Sequence, residues 1–381
     1  MNNGTNGTFI SGLEGVVAAQ TKLSRVDGMA GELIIGGFAV EELAAQATFE
    51  ETVYLLWHGR LPTAPELSDF TSCMAMLRPL PAATLTLLEN IAVENVPVMD
   101  ALRMAAGTLS LDADEGDQEQ LGLAIVARFA PVVAAYWRLR HGRQPINSDP
   151  GLRHAANFLF MLTGNQPGPA QIRGLETYWN TVIDHGLNAS TFAARVIIAT
   201  RSDLVSAVTG AVGALKGPLH GGAPGPALDT VFEIGAPENA EPVLRAKLER
   251  GERLMGFGHR VYKVRDPRAE VLAAAAERMY RAEGDMALYE LAKHVEETAV
   301  TLLAEYKPGR NLQTNVEFYT ALLLHGLGLD SDLFTPTFAL SRAAGWIGHC
   351  LEQQAYGRLI RPKAEYTGEY GRIWQPVAQR A

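Results

Sequence analysis

Three short polar runs carry side chains able to move protons or hold anions. Gly217–Ala223 (GPLHGGA) sets His220 between a proline and two glycines. Proline restricts the chain ahead of the imidazole, and glycine lets the backbone approach a guest closely and present its N–H groups. Such a histidine either faces a cleft or ends a helix and caps a carbonyl; the local residues fit both. Gly256–Arg268 (GFGHRVYKVRDPR) gathers His259, Arg260, Lys263, Arg265 and Arg268 beside Gly256 and Gly258. Concentrated positive charge suits phosphate or carboxylate, although a solvated basic loop has the same composition. The run is neither a dinucleotide fingerprint, lacking a third glycine and a preceding strand, nor a Walker A loop. The third run, Asn315–Tyr319 (NVEFY), puts Glu317 at the start of an apolar helix. The helix dipole favours a carboxylate there, and the same carboxylate has the chemistry of a general base.

Two further residues belong with these. His185 precedes Asn188 in DHGLNASTF, and Arg342 lies in the otherwise apolar ALSRAAGWIGH. A guanidinium on a buried face needs an anionic partner, either a structural carboxylate or a bound guest. The remaining histidines (His58, His141, His154, His294, His325, His349) read as structural. No HExxH or paired-His spacing occurs, so no metal site is expected.

The elements that must hold these side chains read mostly as helix. Gly31–Phe38 (GELIIGGF) is the clearest extended piece and predicts a short hairpin or turn. The following residues predict two helices. The second has Thr48 as N-cap with Glu51 three residues on, a capping box, and stops at Gly59. Residues 99–110 and 121–140 are apolar on most faces, as in buried helices, and Pro131 predicts a kink or junction in the second. Further helices are predicted over 189–199, 207–215, 240–250, 268–282, 318–327 and 336–355, with an irregular tail from Gly357. The chain is expected to be all-α.

Composition sets outer limits. The 381 residues suggest two or three domains, or one large unit with a subdomain. With 47% hydrophobic and 20% charged residues, a packed core is expected and global disorder is excluded. Lys+Arg 33 against Asp+Glu 42 gives −9, which argues against a nucleic-acid partner. Cys73 and Cys350 stand far apart with no CxxC, so neither a disulfide scaffold nor a thiolate zinc site is supported. The polar start resembles no signal peptide, and no uninterrupted apolar run of membrane-spanning length is evident. A soluble cytoplasmic protein without a membrane partner is expected.

Taken together the runs resemble the citrate synthase family over nearly the whole chain. GLEGVVAAQTKLSRVDG, TFEETVYLLWHGRLPT, DHGLNASTFAARV, LKGPLHGGA, GFGHRVYKVRDPR, NVEFY, SRAAGWIGH and RPKAEYTG all have family counterparts, in the family's order. The resemblance implies an all-α, two-domain homodimer of the shorter dimeric type. The large domain would comprise 1–220 and 326–381, and a smaller mobile domain 221–325. The implied reaction condenses acetyl-CoA with oxaloacetate and hydrolyses the thioester to citrate and CoA, with no cofactor beyond the co-substrate. Carried over residue by residue, His220, His259 and Glu317 would be catalytic. His185, Arg268 and Arg342 would bind oxaloacetate, with Arg361 reaching in from the neighbouring subunit. Gly256, Gly258, Lys263 and Asn315 would contact CoA. Glu317 stands where the family usually has Asp, and Gly186 where an acidic residue often follows the substrate-binding His. A 2-methylcitrate synthase using propionyl-CoA shares every one of these residues. A catalytically impaired paralogue that binds CoA or oxaloacetate is the third reading, motivated by Glu317 alone.

Overall fold

The computed structural model describes residues 9–113, 116–221, 224–259, 261–262 and 264–380. A small antiparallel sheet of β1 (Ser24–Asp27), β2 (Glu32–Ile35) and β3 (Phe38–Ala39) opens the fold, with Ser24 opposite Ile35 and Ile35 opposite Phe38. Helices follow almost without interruption. The first five are α1 (Val40–Gln46), α2 (Phe49–His58), α3 (Ala64–Met76), α4 (Ala82–Val93) and α5 (Val98–Ala106). Next come α6 (Gln118–Arg140), α7 (His154–Thr163), α8 (Pro169–Val182), α9 (Ala189–Ile198) and α10 (Leu204–Leu215). The series continues with α11 (Pro224–Ile234), α12 (Ala240–Glu249), α13 (Pro267–Glu283), α14 (Ala287–Tyr306), α15 (Val316–Gly326) and α16 (Phe334–Tyr356). The all-α expectation holds.

Local sequence explains where several of these helices begin. Thr48 Oγ1 accepts the Glu51 N–H at 3.3 Å, and the Glu51 carboxylate accepts the Thr48 N–H at 2.7 Å. That reciprocal pair satisfies two of the donors a helix start leaves over. The helix stops as expected at Gly59, in the left-handed region with φ 72°. Asn188, Asp266 and Asn315 cap α9, α13 and α15 with their side chains. Each of these three caps borders the site described below.

Two expectations need correction. Residues 31–38 form β2 and β3, but β1 was not anticipated; it has Val26 as its lone apolar residue and exists because β2 pairs with it. Pro131 does not divide α6, which runs unbroken over 23 residues. Nearly every residue from Leu121 to Tyr136 is buried, so packing on all sides outweighs the single backbone bond that proline removes. This helix is long and apolar enough to cross a membrane by composition alone, yet its most apolar window is 89% buried inside the protein.

The site rests on the junction of α8, α9 and α16. Trp179 on α8 donates its indole N–H to the Thr337 carbonyl at 3.1 Å, and Ser341 Oγ donates to the Trp179 carbonyl at 2.6 Å. Trp179 and Trp346 are fully buried and anchor the core there. α16 is therefore fixed in register against α8, which sets the position of Arg342.

Candidate active site

Eight of the eleven predicted residues converge on one cleft of about 380 Å³. His185, His220, Gly258, His259, Arg268, Asn315, Glu317 and Arg342 all line it. They come from six separate places: the α8–α9 turn, the turn between α10 and α11, the loop before α13, the first turn of α13, the start of α15 and the middle of α16. Gly256 does not line the cleft. Arg361 lies in the exposed tail, outside the lining of its own chain's cleft. Lys263, like Arg260, falls outside the described residues. Arg265, counted with the cationic run, turns away and ion-pairs with Glu296 at 3.1 Å and Glu270 at 3.3 Å.

The glycine-rich run reaches the start of α15 through backbone pairing. Phe257 and Thr314 form an antiparallel bridge, the Asn315 N–H donates to the Gly256 carbonyl at 2.9 Å, and the Gly258 N–H to the Gln313 carbonyl at 2.7 Å. Gly256 and Gly258 have φ of 87° and 78°, a region that side chains disfavour. A Cβ at Gly256 would also press on Phe318 at 3.0 Å. These glycines thus bring His259 alongside the helix that carries Glu317.

Hydrogen bonds assign the imidazoles of His259 and His220 their tautomers. His259 Nδ1 accepts from the N–H groups of Val261 (3.0 Å) and Tyr262 (3.1 Å). Two backbone donors on Nδ1 put the neutral ring's proton on Nε2; the 3.4 Å approach of Arg268 Nη2, itself a donor, to Nε2 is then a polar contact and not a hydrogen bond. His220 Nε2 accepts the Ser190 N–H at 3.3 Å and lies 2.8 Å from Ser190 Oγ, so its proton belongs on Nδ1. Ser190 Oγ is itself held by the Trp346 indole N–H at 3.0 Å. Burial, reinforced by Arg342, pushes His220 down to about 4, so it is neutral at pH 7. Burial, then Arg268 and Arg342, hold His185 well below the usual imidazole range; its Nε2 lies 3.1 Å from the Tyr262 hydroxyl. Burial raises the Glu317 carboxyl above its ordinary value of 4.5.

The two arginines are set differently. Arg268 is gripped along one edge by Asp266, through Nε at 3.0 Å and Nη2 at 2.7 Å. Arg342 is 1% exposed, donates Nε to the Val182 carbonyl at 2.7 Å and stacks 4.7 Å from the Phe338 ring. No carboxylate among the described residues stands within ion-pair distance of it, and burial pulls it down to about 10. A buried cation without an ion-pair partner is costly unless a guest supplies the anion.

Sequence reasoning missed four supporting residues. Asp266, Tyr262 and Ser190 touch the predicted ones directly, and Trp346 acts one step back by holding Ser190. Asp266 and Tyr262 stand inside a run already singled out, Ser190 follows Asn188, and Trp346 lies one helical turn after Arg342. The helical spacing was the one available signal for Trp346.

A helical scaffold that aims three histidines, one carboxyl and two buried guanidinium groups into one cleft defines an acid–base enzyme acting on a small anion. The sequence matches the family described as citrate synthase, C-terminal domain, over residues 12–363. It is 42% identical to a citrate synthase of Haloferax volcanii, covering 98% of this chain and 100% of that one. It is 38% identical to a 2-methylcitrate synthase of Mycobacterium tuberculosis, covering 95% and 91%. The fold is similar to the ternary complex of carboxymethyl coenzyme A and oxaloacetate with citrate synthase from Thermoplasma acidophilum. That match has TM-score 0.86 and 29% identity, over 97% of this chain and 98% of that one. The chain belongs to the citrate synthase family, and is an acyltransferase of that type.

Proposed function

We propose that this cleft condenses acetyl-CoA with oxaloacetate and hydrolyses the product thioester to citrate and CoA. The observation that carries the reading is Arg342, a buried guanidinium short of an ion-pair partner, facing the same cleft as Arg268. Two such forks suit the carboxylates of a dianion. His185 completes the grip, and Arg361 supplies a further cation from a second copy of the chain.

The chemistry follows from the protonation states. A thioester α-proton is weakly acidic, so its removal needs a base and an oxygen-side donor acting together. Glu317 is the base. His220 donates from Nδ1 to the thioester oxygen, and its neutral ring avoids overprotonating the enolate. The enol carbon attacks the ketone of oxaloacetate, while His259 donates from Nε2 to the ketone oxygen and protonates the new alkoxide. Water then cleaves the thioester. The reaction as proposed needs no resident cofactor. In this reading CoA contacts Gly258 and Asn315 at the cleft wall, with Gly256 just behind them; the expected contact at Lys263 falls outside the described residues. Residues 221–325 form the mobile domain, and closure excludes water from the enolate.

Dimer formation is part of this reading. The tail exposes Tyr370, Ile373, Trp374 and Val377 by 76–87%. Apolar side chains in such number call for cover, and a second copy provides it while delivering Arg361. Free thiols at Cys73 and Cys350 accord with a reducing compartment, and the cytoplasm is the proposed location.

The test is thiol release with Ellman's reagent. Oxaloacetate-dependent CoA release from acetyl-CoA is expected, and none above background with any acyl-CoA would overturn the reading. The likeness to a 2-methylcitrate synthase keeps propionyl-CoA as a second substrate. One methyl group is worth about 1–3 kcal/mol in an apolar pocket, so kcat/KM with both acyl-CoAs ranks them.

A further inference from the structure

A chain of buried polar groups that the catalytic roles above do not use fixes the segment carrying His185. Asp184, the preceding residue, is 0% exposed. Its Oδ2 accepts from Ser24 Oγ at 2.5 Å, and its Oδ1 lies 3.2 Å from His349 Nε2. His349, equally buried, presents Nδ1 to Arg195 Nη1 at 3.0 Å. A guanidinium has donors alone, so Nδ1 accepts, the ring proton lies on Nε2, and His349 donates to Asp184. Arg195 is held in turn by Gln353 Oε1 at 2.9 and 3.1 Å and by Glu352 at 2.6 Å. At the other end Ser24 Oγ accepts the Gly186 N–H at 2.8 Å. The donors and acceptors agree along the whole chain, from Glu352 to the residue after His185.

The same helix presses on this segment directly. A Cβ at Gly345 would stand 2.2 Å from the Ile183 carbonyl oxygen and 3.3 Å from Asp184 Oδ1, so α16 and the loop meet backbone to backbone. With Arg342 holding the Val182 carbonyl, the segment is pinned at 182, 184 and 186. Fully satisfied buried networks of this kind specify one arrangement, because every broken link leaves an orphaned polar group. We propose that Asp184, through Ser24 and His349, is a positioning residue that sets the place of His185 in the oxaloacetate pocket. The first strand and the last helix of the fold thereby hold a substrate contact that neither supplies itself.

The proposal rests on the cleft being the oxaloacetate site, and its test separates the two. Steady-state kinetics with both substrates are measured for Ser24→Ala, His349→Ala, His349→Gln and Arg342→Gln in the full chain. Ser24→Ala and His349→Ala are expected to raise KM for oxaloacetate about tenfold, while KM for acetyl-CoA at saturating oxaloacetate stays within about twofold. His349→Gln has an amide that donates to Asp184 and accepts from Arg195, and restores most of the loss. A purely structural lesion would lower the active fraction and leave the KM for oxaloacetate intact. Ser24 is half-buried, so Ser24→Ala decides the matter if His349→Ala does not fold. An unchanged KM for oxaloacetate in Ser24→Ala, or equal behaviour of Ala and Gln at 349, overturns the proposal. An unchanged value in Arg342→Gln as well overturns the reading of the pocket itself.

Discussion

Asn315 donates from Nδ2 to the Gly258 carbonyl at 2.8 Å, and its Oδ1 accepts the Glu317 N–H at 2.9 Å. One side chain thus joins the loop that carries His259 to the helix that carries Glu317. His259 and Glu317 are 58 positions apart in the chain, yet this link and the Phe257–Thr314 bridge make their two segments one structural unit. Placement of the proposed acid and base relative to each other is then a property of the resting protein.

Glu317→Gln keeps the shape and removes the base. Turnover is expected to fall to background while oxaloacetate affinity, measured by calorimetry, stays within about twofold of wild type. Glu317→Asp retracts the carboxylate by ~1 Å and is expected to cost about 10²-fold in kcat with KM for oxaloacetate unchanged. A rate equal to or above wild type for the Asp variant would show that the backbone is placed for the shorter acid.

The pH profile separates the base from the donor. Burial raises Glu317 above 4.5, and its ionised form is needed, so activity is lost as pH falls through that raised value. His220, pushed down to about 4, stays neutral across the same interval. The acid limb of kcat/KM is expected to inflect above 4.5. Activity that stays flat down to pH 4.5 would contradict a raised Glu317.

Glu176 gives a stability test away from the chemistry. It is 4% exposed, its Oε1 has no hydrogen-bond partner among the described residues, and burial pushes it up to about 7 although Arg173 Nη1, 3.4 Å from its Oε2, pulls the other way. The folded chain therefore holds this proton while the unfolded chain releases it. Stability contributed by the neutral form is present below about 4.5 and is lost as pH rises to 7, by on the order of 3 kcal/mol. Glu176→Gln is expected to remove that slope, so its Tm gains on wild type between pH 5 and 8. A constant Tm difference across that range would contradict the assignment.

The proposed sharing of each site between two copies of the chain predicts complementation. Arg361→Gln and His220→Gln should each be inactive as purified dimers. Refolding the two together creates hybrids in which one site holds both native residues. About a quarter of wild-type activity is expected from a random mixture, half of it hybrid with one working site of two. No recovery in demonstrated hybrids would place Arg361 outside the site.

The sequence made the local decisions legible and left the distant ones hidden. The Thr48–Glu51 box and the glycines of GFGH were readable because their physics acts within a few residues. Which cations of the basic run face the cleft was not, since Arg265 and Arg268 are three apart and turn to different partners. β1 and the uninterrupted α6 were set by pairing and burial that overrode local preference. His349 read as structural, and nothing within its own segment points to Asp184, 165 residues earlier.

A crystal structure with oxaloacetate and carboxymethyl-CoA tests the central claim most directly. The account predicts a closed cleft in which His259 Nε2 is within hydrogen-bond reach (about 2.6–3.2 Å) of the ketone oxygen. Glu317 and His220 should flank the acyl group of the analogue from opposite sides. A closed complex with either Glu317 or His220 turned away from the acyl group would contradict it.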